Sequence, residues 1–136
     1  MRIFILEDNA RRIELFTKVF AGHNITIAED VDIAEKSFQP PYDLMCLDHD
    51  LGGQVFVPAG LRNTGSAFVA GLTGQDVAGS LILVHSHNPD GAAHMKSDLI
   101  SKQALCLAYP FSKDLLIRIL VLAEAVHNGP AALQDA

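Results

Sequence analysis

Side chains that could bind a metal ion or transfer a proton occur in three short groups, each next to an apolar run. The groups are Glu7 and Asp8, then Asp48, His49 and Asp50, and then His85, Ser86, His87 and Asn88. Carboxylates are the oxygen ligands that Mg²⁺, Mn²⁺ and Ca²⁺ prefer, and nearby imidazoles favour Mn²⁺ or a softer ion. An imidazole also exchanges protons near neutral pH. The three groups therefore indicate metal-assisted or acid–base chemistry.

The elements that must position these groups are short apolar runs that alternate with longer amphipathic ones. The predicted strands are RIFIL, NITIA, YDLMCL, SLILVHS and ALCLAY, and the predicted helices cover 9–22, 30–38, 64–72, 88–102 and 112–127. Strands that are apolar on both sides predict a three-layer α/β fold, in which helices cover both faces of a five-stranded parallel sheet. We expect one domain over residues 1–127 and a flexible tail over 128–136.

Parallel strands of such a sheet end at the same edge, where ligands bind. The acids after the first and third strands, Glu7, Asp8 and Asp48, are therefore expected to converge, with Asp50 close behind. Carboxylates this close repel one another unless a cation neutralises them. We predict a divalent-metal site for Mg²⁺ or Mn²⁺. The alternative is that these acids are simply solvated at the surface.

The composition limits the class of protein. Of the 136 residues, 49% are hydrophobic and 19% are charged, which is typical of a folded domain. The net charge of −6 argues against binding to a nucleic acid polymer. No apolar run approaches the roughly 20 residues that a membrane span needs. Cys46 and Cys106 both lie in apolar runs, so we interpret them as reduced core residues of a cytoplasmic protein.

Several segments together resemble the receiver domain of bacterial response regulators. The segments ILEDN, YDLMCLD and YPFSKDLL, with a hydroxyl residue closing strand four, carry a resemblance that extends from position 1 to about 126. It implies the strand order 2-1-3-4-5 and Mg²⁺ bound by Glu7, Asp8 and Asp48. It also implies that Asp48 accepts a phosphoryl group and that Ser86 is the switch hydroxyl.

One position departs from the receiver pattern. Receivers carry Lys before the Pro-Phe of strand five, whereas this chain has Tyr109. A phenol offers one hydrogen bond and no charge at neutral pH. Lys113, which lies four residues further on, is a poor substitute. The departure argues against stable switching driven by phosphorylation.

A narrower resemblance is to the cyclic-phosphate-processing receiver domain. It rests on LDHDLGG, on NTG at the start of the third helix and on HSHNPDGAAHM. The residues in register are Asp48, His49, Asp50, Gly52, Thr64, Gly65, His85, Ser86, Asn88, Pro89, Gly91 and Met95. This resemblance implies a small phosphorylated ligand. The catalytic residues would be Asp48, His49, His85 and Ser86.

The candidate ligand-binding residues lie in the loops around this edge. Asn88 and Gly91 open the fourth helix, where backbone N–H groups would bind an anion, although Asn88 is equally suited to cap the helix. Arg62, in the long loop before Thr64, would reach a phosphate, and its alternative is a solvated charge. Thr64 and Tyr109 complete the set of predicted phosphate- or ligand-binding residues.

The histidines leave alternatives open. His85 and His87 have the spacing that puts both on one side of a regular strand, with Ser86 on the other, so the three cannot line one site unless the strand is interrupted. His49 is suited to proton transfer, and equally to a hydrogen bond within the loop. For Asp50, a metal-binding role competes with a turn-forming one.

We expect a metal-binding receiver-like domain that processes or senses a small phosphorylated ligand, such as a cyclic-phosphate nucleotide. As an enzyme it would be a metal-dependent phosphoesterase. The alternative is an atypical receiver in phosphorelay signalling, phosphorylated at Asp48 or working without phosphorylation, with a signalling protein as partner. The apolar stripe of the last helix, which consists of Leu115, Leu116, Ile119 and Leu120, is expected to be core, or partly a face through which two copies pair.

Overall fold

The computed structural model describes residues 1–53 and 55–129, which form a sheet with helices on both sides. The strands are β1 (Arg2–Leu6), β2 (Asn24–Ala28), β3 (Leu44–Leu47), β4 (Leu81–Val84) and β5 (Leu105–Ala108). The helices are α1 (Ala10–Val19), α2 (Val31–Ser37), α3 (Gly65–Ala70), α4 (Gly74–Val77), α5 (Pro89–Ser101) and α6 (Lys113–Asn128). All neighbouring strands are parallel, in the order β2-β1-β3-β4-β5. The predicted fold class and strand order are confirmed.

The sheet separates two hydrophobic cores because successive side chains of a strand point to opposite faces. In β1, Phe4 and Leu6 face a core completed by α2, α3, α4 and α5, whereas Ile3 and Ile5 face a core completed by α1 and α6. The three inner strands are buried on both faces, which explains their continuous apolar sequences. Met95 lies fully buried in the first core, as a core residue should.

Two elements differ from their predicted bounds near the functional edge. The fourth strand ends at Val84 rather than at Ser86, because the Ser86 hydroxyl accepts a hydrogen bond from the Asn88 backbone and the chain turns into α5. The turn resolves the spacing of the histidines, since His85 and Ser86 are both buried and His87 is exposed. A further short helix, α4, lies in a segment that was not predicted to be helical.

The remaining expectations concern the cysteines and the ends of the chain. Cys46 and Cys106 are both free and buried, as predicted. In the part of the chain that the structure describes, no helix is long and apolar enough to cross a membrane. Helix α6 extends to Asn128, one residue beyond the predicted domain boundary. Most of the predicted tail, residues 130–136, lies outside the described residues.

Candidate functional site

The two acids at the centre of the site come from the ends of neighbouring strands. Leu6 of β1 and Leu47 of β3 are register partners, so the next residues, Glu7 and Asp48, leave the sheet side by side. Glu7 is completely buried and Asp48 is 4% exposed. The Oε2 atom of Glu7 accepts hydrogen bonds from the backbone of Asp8 and Asn9. The predicted convergence of acids therefore occurs, and it is buried rather than solvated.

His85 brings an imidazole from the end of β4 to this acid pair. Its Nε2 atom lies 3.2 Å from Oε1 of Glu7, and neither side chain is exposed. The ring packs edge-on against Phe16 and Phe111. Burial lowers the pKa of His85 to about 4, so the imidazole is neutral at neutral pH. A neutral ring that donates from Nε2 leaves Nδ1 without a proton, and no described residue donates to that nitrogen.

Burial raises the pKa values of both acids of the pair. Burial, with the negative charge of Glu7 beside it, raises the pKa of Asp48 to about 7. Burial likewise raises the pKa of Glu7 above its ordinary value. The Arg12 guanidinium opposes the effect on Glu7, because its Nη1 lies 3.5 Å from Glu7 Oε1 and 3.6 Å from Asp48 Oδ2. Arg12, in the first turn of α1, was not predicted as a site residue, although its position just after the acid pair was a signal for it.

The donors at this point fit a divalent metal ion. Glu7, Asp48 and His85 each offer one ligand atom, and these atoms lie within 4.8 Å of one another. The set combines two carboxylates that lack full charge compensation with an imidazole that has a nitrogen free of hydrogen bonds to described residues. The set differs from the predicted one, because it includes His85 and leaves out Asp8 and Asp50.

Asp8 and Asp50 bind the backbone of the loop that follows β3. Oδ2 of Asp8 accepts a hydrogen bond of 2.7 Å from the Gly53 amide. Asp50 accepts hydrogen bonds from the amides of Phe56 and Val57, at 2.6 and 3.2 Å. Burial by itself would raise the pKa of Asp50, but these donors and two side-chain donors hold the pKa below its ordinary value. Both acids therefore shape the loop over the site, and both line its cavity.

His49 is buried under this loop and faces away from the open cavity. Its Nδ1 atom lies 2.9 Å from Oδ1 of Asp50, and the ring is completely buried. Asn88 joins the same cluster, since its amide nitrogen donates to Asp50 Oδ1 and to the carbonyl of Val57, both at 3.0 Å. The geometry favours the loop-binding role of His49 over the proton-transfer role.

Two glycines of the motif are required by close contacts around the site. A Cβ atom at Gly91 would lie 2.4 Å from the His49 ring, and one at Gly65 would lie 2.1 Å from the backbone oxygen of Asp48. Asn88 caps α5 through a bond from the Gly91 amide, and Thr64 caps α3 while bridging to Asp50. These motif residues therefore pack and align the segments that carry the acids.

A cavity of about 380 Å³ opens above the acid pair. It is lined by Glu7, Asp8, Asn9, Arg12, Asp48, Asp50, Gly53, Val55, Phe56, Ser86 and His87. The imidazole on its wall is thus His87, whereas His49 and His85 are not among the lining residues. Phe56 is 68% exposed at the cavity and has a positive φ of 53°, in a backbone position fixed by its bond to Asp50.

Two predicted phosphate-binding residues lie apart from this cavity. Arg62 is 82% exposed and forms an ion pair of 2.9 Å with Asp32 of α2, and it is not among the residues that line the cavity. Tyr109 is half exposed and lines neighbouring depressions between β5, α5 and α6. The position of a residue in a loop or at the end of a strand does not show where its side chain lies, because that depends on the partner with which the side chain forms a contact.

Solved structures of receiver domains share this architecture. The Mn²⁺-bound form of response regulator Rcp1 has 18% sequence identity and a TM-score of 0.60, covering 87% of this chain and 90% of that chain. A CheY-like receiver domain protein from Methanospirillum hungatei has 15% identity and a TM-score of 0.62, covering 93% and 96%. NtrX from Brucella abortus, in complex with ADP, has 23% identity and a TM-score of 0.62 over 90% of this chain. This chain spans only 26% of the NtrX chain.

Identities at this level establish the fold and leave the chemistry to other observations. A comparison with curated protein sequences finds no match. The family model of the cyclic-phosphate processing receiver domain matches residues 2–101, which include β1 to β4 and the whole acid cluster. The chain belongs to the family of cyclic-phosphate processing receiver domains.

Proposed function

We propose that this chain binds a cyclic-phosphate nucleotide in the cavity above Asp48 and opens the cyclic phosphate with the help of Mg²⁺ or Mn²⁺. The observation that supports this most directly is the buried cluster of Glu7, Asp48 and His85 at the base of an open cavity. Buried acids with raised pKa values favour a cation, and a cation beside them attracts a phosphate.

In this proposal Glu7, Asp48 and His85 would hold the metal ion, which when bound would neutralise the acids and polarise a phosphoryl oxygen. Asp48 either takes a proton from the attacking water, or attacks phosphorus itself as the ring P–O bond breaks, in which case water then cleaves the aspartyl phosphate and regenerates the carboxylate. In the hydrolytic route, one P–O bond forms to water and one P–O bond of the ring breaks. His87 on the cavity wall gives a proton to the ring oxygen that leaves phosphorus, and the proton that Asp48 took from water returns to His87 through solvent.

The other predicted residues have positioning roles in this mechanism. Ser86 lines the cavity and is placed to donate a hydrogen bond to a phosphoryl oxygen. His49, with Asp50 and Asn88, fixes the loop that closes one side of the cavity.

The test is turnover of a panel of cyclic-phosphate nucleotides with Mg²⁺ or Mn²⁺, followed by ³¹P NMR. We expect metal-dependent ring opening that is lost in Asp48→Asn, with Asp32→Asn as a matched control because Asp32 is an exposed acid outside the cavity. A panel without turnover, from protein that binds the metal, would contradict the enzymatic proposal.

A second candidate function is an atypical receiver module in phosphorelay signalling. The observation in its favour is the receiver fold itself, with Asp48 and Ser86 at neighbouring strand ends. In this case Asp48 would accept a phosphoryl group or the domain would work without phosphorylation, in the cytoplasm, with a signalling protein or a second copy as partner. The partner surface would be the exposed apolar residues Ile117, Val121, Leu122 and Val126 of α6. Labelling of Asp48 by acetyl phosphate, detected by mass spectrometry, would support this function over the first.

A further inference from the structure

We propose that Arg12 is the residue that binds the phosphoryl oxygens of the ligand over Asp48. The inference rests on the proposed function to the extent that it requires a phosphoryl group in the cavity. It holds for either route, because both a bound phosphodiester and a phosphorylated Asp48 place negative oxygens at this point.

The present contacts of Arg12 leave most of its donors available. Both ion pairs, 3.5 Å to Glu7 and 3.6 Å to Asp48, are made by Nη1. These distances exceed the about 2.7–2.9 Å of tight charge-assisted hydrogen bonds. Within residues 1–53 and 55–129, no hydrogen bond engages its Nη2 or Nε. A guanidinium has five N–H donors in a planar fork, so a phosphoryl group can be bound without breaking a strong contact.

The surroundings of Arg12 keep the guanidinium at the cavity. Its central carbon lies 4.9 Å from the centre of the Phe111 ring, a cation–π distance that stabilises the charge there. The side chain is 24% exposed and lines the cavity together with Asp48 and Ser86. The cation is thus fixed at the wall of the cavity while remaining open to a ligand from solvent.

The charges of the cavity favour a cationic side chain beside the phosphoryl group. A phosphate brought to Asp48 meets four lining acids, Glu7, Asp8, Asp48 and Asp50, which would repel it. Among the described residues, Arg12 is the only Lys or Arg that forms an ion pair with either member of the buried acid pair. Two of the predicted phosphate-binding residues lie elsewhere, since Arg62 pairs with Asp32 and Tyr109 is outside the cavity.

The test uses beryllofluoride, an analogue of the phosphoryl group, with Mg²⁺ and detection by ¹⁹F NMR. We expect the full chain to bind beryllofluoride and Arg12→Met to bind it about tenfold to a hundredfold more weakly, the range that loss of charge-assisted hydrogen bonds implies. Arg12→Lys should recover part of the affinity, because it restores the charge without the planar fork. Arg11→Met is the matched control, since Arg11 is exposed and outside the cavity, and it should bind as the wild type does.

Binding of Mn²⁺ to the same variants, measured by electron paramagnetic resonance, separates the proposal from simple damage to the acid pair. We expect Arg12→Met to bind Mn²⁺ at least as tightly as the wild type, because a competing positive charge has been removed.

Equal beryllofluoride binding by wild type and Arg12→Met would overturn the inference alone. Parallel loss of Mn²⁺ and beryllofluoride would also overturn it, because Arg12 would then only hold the acids in place. A wild-type protein that does not bind beryllofluoride would overturn the inference, whereas a cyclic-phosphate panel without turnover would overturn only the enzymatic function.

Discussion

The Nε2 atom of His85 lies 3.2 Å from Oε1 of Glu7 in a place where neither side chain is exposed to solvent. The two residues leave strands that are separated by β3, so the contact crosses the carboxyl edge of the sheet beside Asp48. A neutral imidazole at this position cannot neutralise the acids. The negative charge of the acid pair must therefore be neutralised by protons, by Arg12 or by a metal ion.

The pH dependence of stability should contain two opposed contributions from this cluster. The pKa of Asp48 is raised from 3.8 to about 7, so between these values the folded protein keeps a proton that the unfolded chain has lost, and the free energy of unfolding falls as pH rises. The pKa of His85 is lowered from 6.5 to about 4, so the unfolded chain binds the extra proton and the free energy of unfolding rises with pH. We expect urea denaturation of metal-free Asp48→Asn to show a steeper rise between pH 4 and 6.5 than the wild type shows. Parallel curves for the two proteins would contradict the assignment of the raised pKa to Asp48.

Divalent metal ions should stabilise the folded chain through the buried cluster. A ligand that binds only the folded state increases the free energy of unfolding, by about 2.7 kcal/mol at a hundredfold excess over Kd. The midpoint of thermal unfolding therefore rises with the concentration of the ligand. We expect a rise with Mn²⁺ or Mg²⁺ at neutral pH, and its loss in Glu7→Gln and in Asp48→Asn. Asp32→Asn should keep the full rise, because this acid is exposed and pairs with Arg62. A rise of the same size in Glu7→Gln would show that the metal binds elsewhere.

Gly91→Ala should destabilise the protein even though alanine favours helices. In an ordinary helix this change stabilises by about 1 kcal/mol. Here the added Cβ would lie 2.4 Å from the buried His49 ring, and overpacking of this kind costs about 1–3 kcal/mol. Gly60→Ala is the control. A Cβ atom at Gly60 would have no residue other than its chain neighbours within 4 Å, and the φ of Gly60 lies outside the left-handed region. Urea denaturation measures both, and a Gly91→Ala protein as stable as Gly60→Ala would contradict the packing against His49.

Asp50→Ala should release the loop over the cavity. The substitution removes the acceptor of the Phe56 and Val57 amides and a partner of the Asn88 side chain. We expect a loss of about 1–3 kcal/mol in stability, because the buried side chains of His49 and Asn88 lose a partner, and faster hydrogen exchange at the amides of Phe56 and Val57. Asp50→Asn, which keeps one oxygen acceptor, should lie between the wild type and Asp50→Ala.

The comparison for Asp50→Ala is Glu35→Ala, which removes an exposed acid on α2. Its amide exchange in the loop should match that of the wild type. Unchanged exchange at Phe56 in Asp50→Ala would show that the loop is fixed by other contacts.

Local sequence patterns were sufficient for the fold and for the meeting of the two central acids. The apolar runs predicted all five strands, because strands buried on both faces must be continuously apolar. The polar residues after β1 and β3 predicted the meeting of Glu7 with Asp48, because parallel strands share a carboxyl edge. Both predictions rest only on the alternation of side chains along a strand and on the parallel direction of neighbouring strands.

The partners of each polar side chain were decided only by the tertiary structure. Asp8 and Asp50 carry the same carboxylate as Glu7, yet they bind loop amides, since the loop after β3 folds back within reach. Arg12 contacts the acid pair because its guanidinium packs against the Phe111 ring, whereas Arg62 forms an ion pair with Asp32. Side-chain direction depends on contacts between segments far apart in sequence. The sequence by itself therefore determined at which edge of the sheet the acids and histidines gather, and packing determined which of them face the cavity.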